Sequence, residues 1–317
     1  MNYKIWIGIV FFTILIQCTS KKTVEVYEFE SLDSVAFNAI LIELGEKLFF
    51  DTRLSFDNSV SCATCHNPNL AFSDGQITSI GIHQRSGKRN TPSIWNAKNQ
   101  DKFMWDGGVK SLELQAIVPL QDSNEMGGLI TDLFPKLSDV FIYDSLAKLL
   151  YNRSFDPYVL TRSLSAYQKS IYQENSEYDD WRQKGILKDS SLLRGFKLFN
   201  DDLNCAQCHS GNTFSNNSVQ NNGLYAIYKD EGHFNISVDS ADIGKFKVPS
   251  LRNVSITSPY MHDGSVDNLY DVIQHYEKGG ALHPNKSTKI QSFSLSELER
   301  KDLIYFLRSL TDKRFLN

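Results

Sequence analysis

The sequence is poor in cysteine, has no long apolar run and carries no excess of basic charge. Only five of its 317 residues are cysteine, and the motifs described below use all of them, so none is left for a structural disulfide. The formal net charge of −4 excludes a strongly basic surface and argues against nucleic acid as a partner. No segment reaches the roughly 18 consecutive apolar residues that indicate a membrane-spanning helix. What remains is an ordinary globular composition, in a chain long enough for two domains.

The N-terminus has the pattern of an export signal. Lys4 supplies a positive charge, and the apolar run over residues 5–16 is too short to span a bilayer comfortably. The segment ending at Cys18 resembles a lipoprotein signal, in which Cys18 would be lipidated, although Gln17 stands where such sites usually carry a small residue. A plain signal peptide and a short membrane anchor are the alternatives. We predict a lipoprotein-type signal over 1–18, a polar tether over 19–30, and a periplasmic protein that contacts a membrane only through this lipid anchor.

The other four cysteines belong to two C-x-x-C-H motifs, whose members are Cys62, Cys65 and His66 in the first and Cys205, Cys208 and His209 in the second. Two thiols at this spacing can bond both vinyl groups of one haem, and the next residue then places an imidazole under the iron. A lone C-x-x-C pair could instead be half of a zinc site or a redox dithiol. Two copies, each followed by histidine in an exported chain, favour haem. The sequence therefore predicts two covalently bound c-type haems with His66 and His209 as proximal ligands.

The chain also contains the same helical pattern twice. Apolar residues at helical spacing over 44–50 lead into the first motif, and those over 194–199 lead into the second. A helix through about Tyr172 is predicted to begin after Asp156, and Ser296 with Glu299 forms a capping box ahead of a terminal amphipathic helix. We predict an all-α fold of two cytochrome c-like domains, over residues 31–185 and 186–317, each with one haem in its core.

The side of each iron opposite the proximal histidine decides what the haem can do. A strong sixth ligand makes an electron-transfer haem, whereas an open face can bind and activate peroxide. For the first haem, residues 80–128 follow the motif and contain His83, Trp105 and Glu125. By type and context alone, His83 and Glu125 are more often exposed loop residues, and Trp105 is more often a core anchor. Their roles are open at this point.

From about residue 44 to residue 310 the sequence resembles the bacterial di-haem cytochrome c peroxidase family. That family also includes the di-haem maturation enzyme that oxidises side chains of methylamine dehydrogenase. The resemblance rests on segments in the same order along the chain, which are FFDTRLS at 49–55, SCATCH at 61–66, RNTPS at 89–93, WDG at 105–107, EM at 125–126, KVPSLRN at 247–253 and PYMHDG at 259–264.

The resemblance implies roles for matching positions. The first haem would react with peroxide, with Glu125 as the distal acid and base and Gln115 as a second polar residue beside it. Trp105 would lie between the two haems and relay electrons or hold a hole. A calcium ion would be bound between the domains by Asn90 and by the backbone carbonyls of Thr257 and Pro259, a set of oxygen ligands that suits this cation.

One position departs from the family's peroxidases. Those that take electrons from small cytochromes usually have methionine as the sixth ligand of the second haem, whereas the corresponding residue in this sequence is Tyr276. Tyrosine at this position resembles the maturation enzyme. Met261 lies close in sequence and invites assignment as a ligand, but it does not occupy the family's ligand position.

These expectations together predict a di-haem peroxidase that reduces hydrogen peroxide to water with electrons from a small c-type cytochrome or a similar donor. The first alternative is a maturation-type oxidase that oxidises side chains of a partner protein. The second is a di-haem electron-transfer cytochrome without peroxidase activity, which would need strong ligands on both irons and no distal acid. The oligomeric state is left open, with a homodimer as one candidate.

Overall fold

The computed structural model describes residues 32–137 and 140–316, and the predicted signal, tether and Cys18 lie outside them. The described chain is mostly helical. Its α-helices are α1 (Ser34–Phe49), α2 (Cys62–Cys65), α3 (Leu112–Gln115), α4 (Ile117–Gln121), α5 (Ile130–Leu137), α6 (Phe141–Tyr151), α7 (Pro157–Ser170), α8 (Glu177–Lys184), α9 (Ser190–Lys197), α10 (Phe234–Ser237), α11 (Leu269–Glu277) and α12 (Glu297–Ser309). Within the described ranges, no helix is long and apolar enough to cross a membrane.

The predicted helical character is confirmed, with one small addition. Two strands of two residues each, β1 (Val219–Gln220) and β2 (Phe246–Lys247), pair antiparallel, with Val219 opposite Lys247. Short 3₁₀ turns and loops make up most of the remaining chain. The first C-x-x-C-H motif lies on the short helix α2 and the second begins with a 3₁₀ turn, and loops follow both.

The two helices predicted from their capping residues begin where those residues indicate, and the first ends at Ser170, close to the predicted Tyr172. The Asp156 carboxylate accepts a hydrogen bond from the Val159 amide at the start of α7, and Pro157 occupies the first turn. Ser296 and Glu299 form a reciprocal capping box at the start of α12. Both helices have an apolar face that packs into a core, which is the main source of helix stability in proteins.

Each half of the molecule contains the same crossing of two helices. In the first half α1 packs against α7, and in the second half α9 packs against α12. A glycine lies at the closest point of each crossing. A Cβ atom on Gly45 would lie 1.9 Å from the Ser163 carbonyl oxygen, and one on Gly195 would lie 2.1 Å from the Asp302 carbonyl oxygen. The two crossings therefore need glycine for the same steric reason.

The two halves have separate apolar cores and also exchange segments. The first core includes Leu44, Leu48 and Leu164, and the second includes Phe306 and Leu310. Helix α8 falls within the predicted first domain, yet it packs on the second core. On this helix, the Asp179 carboxylate accepts hydrogen bonds of 2.9 and 2.8 Å from Arg252. At the C-terminus, Phe315 packs back against Trp95 of the first half, with ring centroids 5.4 Å apart. This exchange fixes the halves against each other, while the boundary at residue 185 stays a prediction.

Candidate haem sites and the cavity between them

A cavity of about 820 Å³ lies between the two halves and reaches both cysteine motifs. From the first motif it is lined by Cys65 and His66, and from the second by Cys205, Cys208 and His209. A cavity of this size is within the range of cofactor sites in proteins. The structure thus brings residues of both motifs to one continuous space, which a haem attached at each motif would occupy.

The two motif histidines are oriented in the same way. The Nδ1 atom of His66 lies 3.1 Å from the Phe72 carbonyl oxygen, and that of His209 lies 3.0 Å from the Phe214 carbonyl oxygen. When Nδ1 carries the proton and donates it to this carbonyl, Nε2 is the nitrogen left to bind a metal. Burial lowers the pKa of His66, and it lowers that of His209 to about 4. Both imidazoles are therefore held neutral, the form that ligates iron.

The cysteines fit thioether bonds better than the alternatives weighed for a C-x-x-C pair. Burial, with a smaller contribution from Cys65, raises the pKa of the Cys62 thiol to about 12. Burial likewise raises the pKa of Cys205 to about 11. Dithiol redox chemistry uses the thiolate, which this burial disfavours. In addition, no group of three or more His, Cys, Asp or Glu side chains among the described residues could hold a metal ion. Haem attachment is the use that these residues fit.

Glu125 and Gln115 both face the first motif. A smaller cavity of about 60 Å³ is lined by Cys62 and His66 together with these two side chains. Burial raises the pKa of Glu125 to about 7, and the nearby Asp122 carboxylate adds to the shift. A carboxyl group with this pKa exists in both protonation states near neutral pH, so it can both accept and return a proton. This environment differs from the exposed loop that its sequence context alone favours.

Trp105 lies where the two halves meet. Its indole Nε1–H donates a hydrogen bond of 2.7 Å to the Asn90 carbonyl, and its own carbonyl accepts one of 2.7 Å from the Lys247 amide. The next residue, Asp106, accepts a hydrogen bond from Arg89, whose guanidinium also binds Asp230 of the second half. Trp105 itself lines the cavity that joins the two motifs. This position fits an aromatic residue between two haems.

A second repeat, which the sequence analysis missed, surrounds Trp105. The segment Phe103–Val109 closes with an isolated antiparallel bridge between its ends, and Tyr260–Val266 does the same. Superposing FMWDGGV on YMHDGSV places His262 at the position of Trp105. The contacts across the interface are reciprocal, because the Asn90 amide donates a 2.8 Å hydrogen bond to the His262 carbonyl just as Lys247 does to Trp105. A direct comparison of these two segments of seven residues reveals the relation from the sequence alone.

The repeat identifies a difference between the two sites. The same number of residues separates Trp105 from Pro119 and His262 from Tyr276, so Pro119 in α4 corresponds to Tyr276 in α11. Both residues line the cavity between the halves. Proline offers no atom that can bind iron, whereas tyrosine offers a phenol. The first site therefore has no side chain that could bind iron at the position where the second site has a phenol.

Tyr276 shares the cavity lining with Cys205, Cys208 and His209. Burial raises the pKa of its phenol to about 12, although a hydrogen bond with Asn222 opposes the shift. The Asn222 amide also donates a hydrogen bond of 3.4 Å to the Met261 Sδ atom. Met261 lines the cavity as well, so the structure leaves both side chains near the second site. The assignment of Tyr276 as the sixth ligand stays a prediction.

The predicted calcium ligands Asn90, Thr257 and Pro259 all line the same cavity. The Asn90 side chain is buried, and its Nδ2 donates a hydrogen bond of 2.9 Å to the Gln76 carbonyl. This contact leaves Oδ1 as the atom that could bind a cation. The set contains an amide oxygen and two backbone carbonyls, which suits calcium. The arrangement is compatible with a calcium site, and the ion itself stays a prediction.

His83 lies away from both cavities. It is exposed on a 3₁₀ turn, and its Nδ1 atom is 3.4 Å from the Asp57 carboxylate. Its backbone amide donates to the same carboxylate at 3.2 Å. His83 thus occupies the solvated loop position that its Gly- and Ser-rich context favours, and it does not face the first motif.

Comparisons with known proteins agree with this geometry. The model of the di-haem cytochrome c peroxidase family matches residues 39–186, and the cytochrome c model matches residues 192–311. The methylamine utilization protein MauG of Methylorubrum extorquens is 37% identical over 85% of this chain and 77% of its own. The cytochrome c551 peroxidase of Nitrosomonas europaea is 30% identical over 86% of this chain and 80% of its own.

A solved structure supports the same conclusion for the fold. A MauG-like protein associated with microbial copper homeostasis superposes with a TM-score of 0.82 at 30% identity, covering 88% of this chain and 91% of its own. The matches extend over both halves and include proteins named as peroxidases and proteins named MauG. The chain belongs to the di-haem cytochrome c peroxidase family.

Proposed function

We propose that this protein is a di-haem peroxidase that reduces hydrogen peroxide to water with electrons from a small c-type cytochrome or a similar donor. The observation that carries the proposal is Glu125, a carboxyl group with a pKa of about 7 that shares a small cavity with His66 and Gln115. An electron-transfer cytochrome has no use for a proton donor and acceptor beside an open haem face. The equivalence of Pro119 with Tyr276 supports an open face in the first half.

Glu125 performs the proton transfers of the reaction. In its carboxylate form it accepts a proton from one peroxide oxygen, and it then donates that proton to the other oxygen, which leaves as water. Gln115 lines the same cavity and can hold the peroxide by hydrogen bonds. A haem iron bound by His66 would supply the electrons that break the O–O bond. Two electrons and two protons per peroxide give two molecules of water.

Trp105 connects the two sites. Its indole is fixed by the Asn90 carbonyl and lies in the cavity shared by both motifs. We propose that it relays electrons between the haems, so that the second haem receives electrons from the donor protein one at a time. The protein would work in the periplasm, anchored through Cys18, with calcium at Asn90, Thr257 and Pro259 holding the halves in register.

Peroxide addition in a stopped-flow spectrometer tests the proposal. Protein matured in a host with c-type haem attachment should carry two covalent haems, measured as a mass increase on the denatured chain, and Cys65→Ala or Cys208→Ala should remove one. Reduced cytochrome c should be oxidised in a 2:1 ratio to peroxide. A bare polypeptide mass, or haem spectra that do not respond to peroxide, would contradict the proposal.

A second candidate is the oxidation of side chains on a partner protein. Tyr276 favours it, because a phenolate oxygen on the second iron would stabilise the ferric state and make that haem a poor acceptor from ordinary cytochromes. The similarity to the MauG proteins also favours this candidate. Under this reading peroxide is still the oxidant, but reduced cytochrome c would not be turned over. The cytochrome assay therefore separates the two candidates.

A further inference from the structure

Lys247 is a buried lysine on the cavity wall. It lies in β2, is 9% exposed, and lines the cavity together with His209. Its ammonium donates a hydrogen bond of 3.1 Å to the Gln100 Oε1 atom. Among the described residues it makes no ion pair. Its partner is therefore a neutral amide, which does not balance its charge.

A buried ammonium without an anionic partner is costly. Removing the charge from water has a large desolvation cost unless an opposite charge is close. Burial lowers the pKa of Lys247 to about 8, and the charges of Asp101 and Lys102 act on this pKa in opposite directions. Asp101 is itself paired with Lys102 at 3.9 Å on the surface. The Lys247 ammonium is therefore placed to bind an anion that enters the cavity.

The repeat shows that this charge belongs to the second half alone. Lys247 and Asn90 occupy equivalent positions, two residues before the prolines Pro249 and Pro92. Their backbone amides make the reciprocal hydrogen bonds to the Trp105 and His262 carbonyls. The backbone is thus the same, whereas the side chain is a neutral amide in one half and a cation in the other. The difference is one positive charge contributed by the second half, close enough to His209 to lower the pKa of that imidazole.

We propose that the Lys247 ammonium binds a propionate carboxylate of the haem held by Cys205, Cys208 and His209, and thereby raises the reduction potential of that haem. The inference rests on haem attachment at the second motif, which is part of the proposed function. A haem carries two propionates, and a buried carboxylate and a buried ammonium offset each other's cost. A fixed positive charge near the iron favours the ferrous state. Lys247 thus opposes the lowering of the potential that a Tyr276 phenolate would cause.

The experiment compares Lys247→Met, Lys247→Arg and Lys278→Met in the full chain with both haems attached. Lys278 is a matched control, because its ammonium also donates to a glutamine Oε1 atom, that of Gln274 at 3.0 Å, but it is exposed. Haem content is measured by the mass of the denatured chain. Midpoint potentials are measured by spectroelectrochemistry, and propionate hydrogen bonding is measured by the propionate bending modes in resonance Raman spectra.

Lys247→Met should lower the potential of the second haem and shift its propionate mode, while Lys247→Arg and Lys278→Met should leave both close to wild type. Loss of the second haem in Lys247→Met but not in Lys247→Arg would also support the need for charge. An unchanged potential and Raman mode in Lys247→Met would overturn the proposal, as would loss of the second haem in both Lys247 variants. A wild-type chain without haem at Cys205 and Cys208 would instead contradict the proposed function.

Discussion

The two halves of this protein share a scaffold and differ in a few side chains at the cavity. Each half crosses two helices at a glycine, and each holds its motif histidine by a backbone carbonyl at 3.0 to 3.1 Å. The first half then places Glu125 and Pro119 around its site, and the second places Tyr276 and Lys247. The residues that would attach a haem thus belong to the shared scaffold. The chemistry of each haem depends on residues that the two halves do not share.

The interface between the halves uses the same repeat. The reciprocal hydrogen bonds of Asn90 and Lys247 make each half contribute one backbone donor and one acceptor to the other. Arg89 breaks this symmetry, because its guanidinium binds both Asp106 and Asp230. Trp105 is therefore held from both sides, by the backbone and by the neighbouring ion pairs. A rigid position between the haems suits a residue that relays electrons.

The largest difference between the halves should appear when Glu125 is replaced by glutamine. If only the first site cleaves peroxide, Glu125→Gln should slow that step by roughly 10²–10⁴-fold while both haems are retained. Glu113→Gln is the control, because Glu113 lies outside the cavity. Burial raises the pKa of Glu113, but hydrogen bonds from Lys169 and Ser165 outweigh this effect and lower the pKa to about 2. Stopped-flow rates measure both variants. A wild-type rate in Glu125→Gln would show that Glu125 does not transfer protons in this step.

The scaffold that the halves share should break in the same way in each. Gly45→Ala and Gly195→Ala would each push a methyl group into the carbonyl of the facing helix, and each should cost about 1–3 kcal/mol of unfolding free energy. The better helix propensity of alanine recovers less than this. Gly87→Ala is the control, because its nearest contact would be 3.4 Å away. Thermal unfolding measures the three, and a marked asymmetry between the first two would contradict the equivalence of the crossings.

The pH profile should also distinguish the first site. Because the pKa of Glu125 is raised to about 7, the carboxylate that accepts the peroxide proton is present above this pH and is lost as the pH falls below it. The second-order rate with peroxide should then fall by about tenfold per pH unit on the acid side. Glu125→Gln should have no such limb. A flat profile in the wild-type protein would exclude Glu125 as the base.

Tyr276→Phe tests the second site alone. Removal of the phenol oxygen should change the ferric spectrum of the second haem and raise its potential, and the fold should survive because the ring is kept. Tyr270→Phe is the control on the same helix, where the ring is 41% exposed and packs under the Arg300 guanidinium. If Tyr276→Phe keeps the wild-type spectrum while Met261→Leu changes it, Met261 is the ligand and the peroxidase function gains support.

The smallest effect is expected from calcium, because it would act on the geometry between the halves. A chelator should lower peroxidase activity and shift the haem spectra, and added calcium should restore both. Asn90→Ala, which removes the Oδ1 atom, should weaken the restoration. Activity and spectra that do not change during prolonged chelation at raised temperature would argue against a calcium ion at Asn90, Thr257 and Pro259.

The sequence by itself determined the scaffold and the haem attachment residues. The capping residues at Asp156 and Ser296, the helical repeats before each motif and the two C-x-x-C-H spacings are local patterns, and local patterns depend on residues that are adjacent in the chain. For the same reason the predicted helices begin at these caps. The resemblance to the di-haem peroxidase family, confirmed by the comparisons, rested on such short motifs as well.

Only the tertiary structure decided which side chains share a cavity. Glu125 and His83 are both polar residues in loops, and only the fold shows that the first is half-buried in a small cavity with His66 and the second is exposed beside Asp57. In the sequence Lys247 is distinguished only as the first residue of the KVPSLRN segment, because the environment of its ammonium depends on Gln100 of the other half. Burial and charge pairing arise between residues that are distant in the chain, so no local pattern in the sequence contains them.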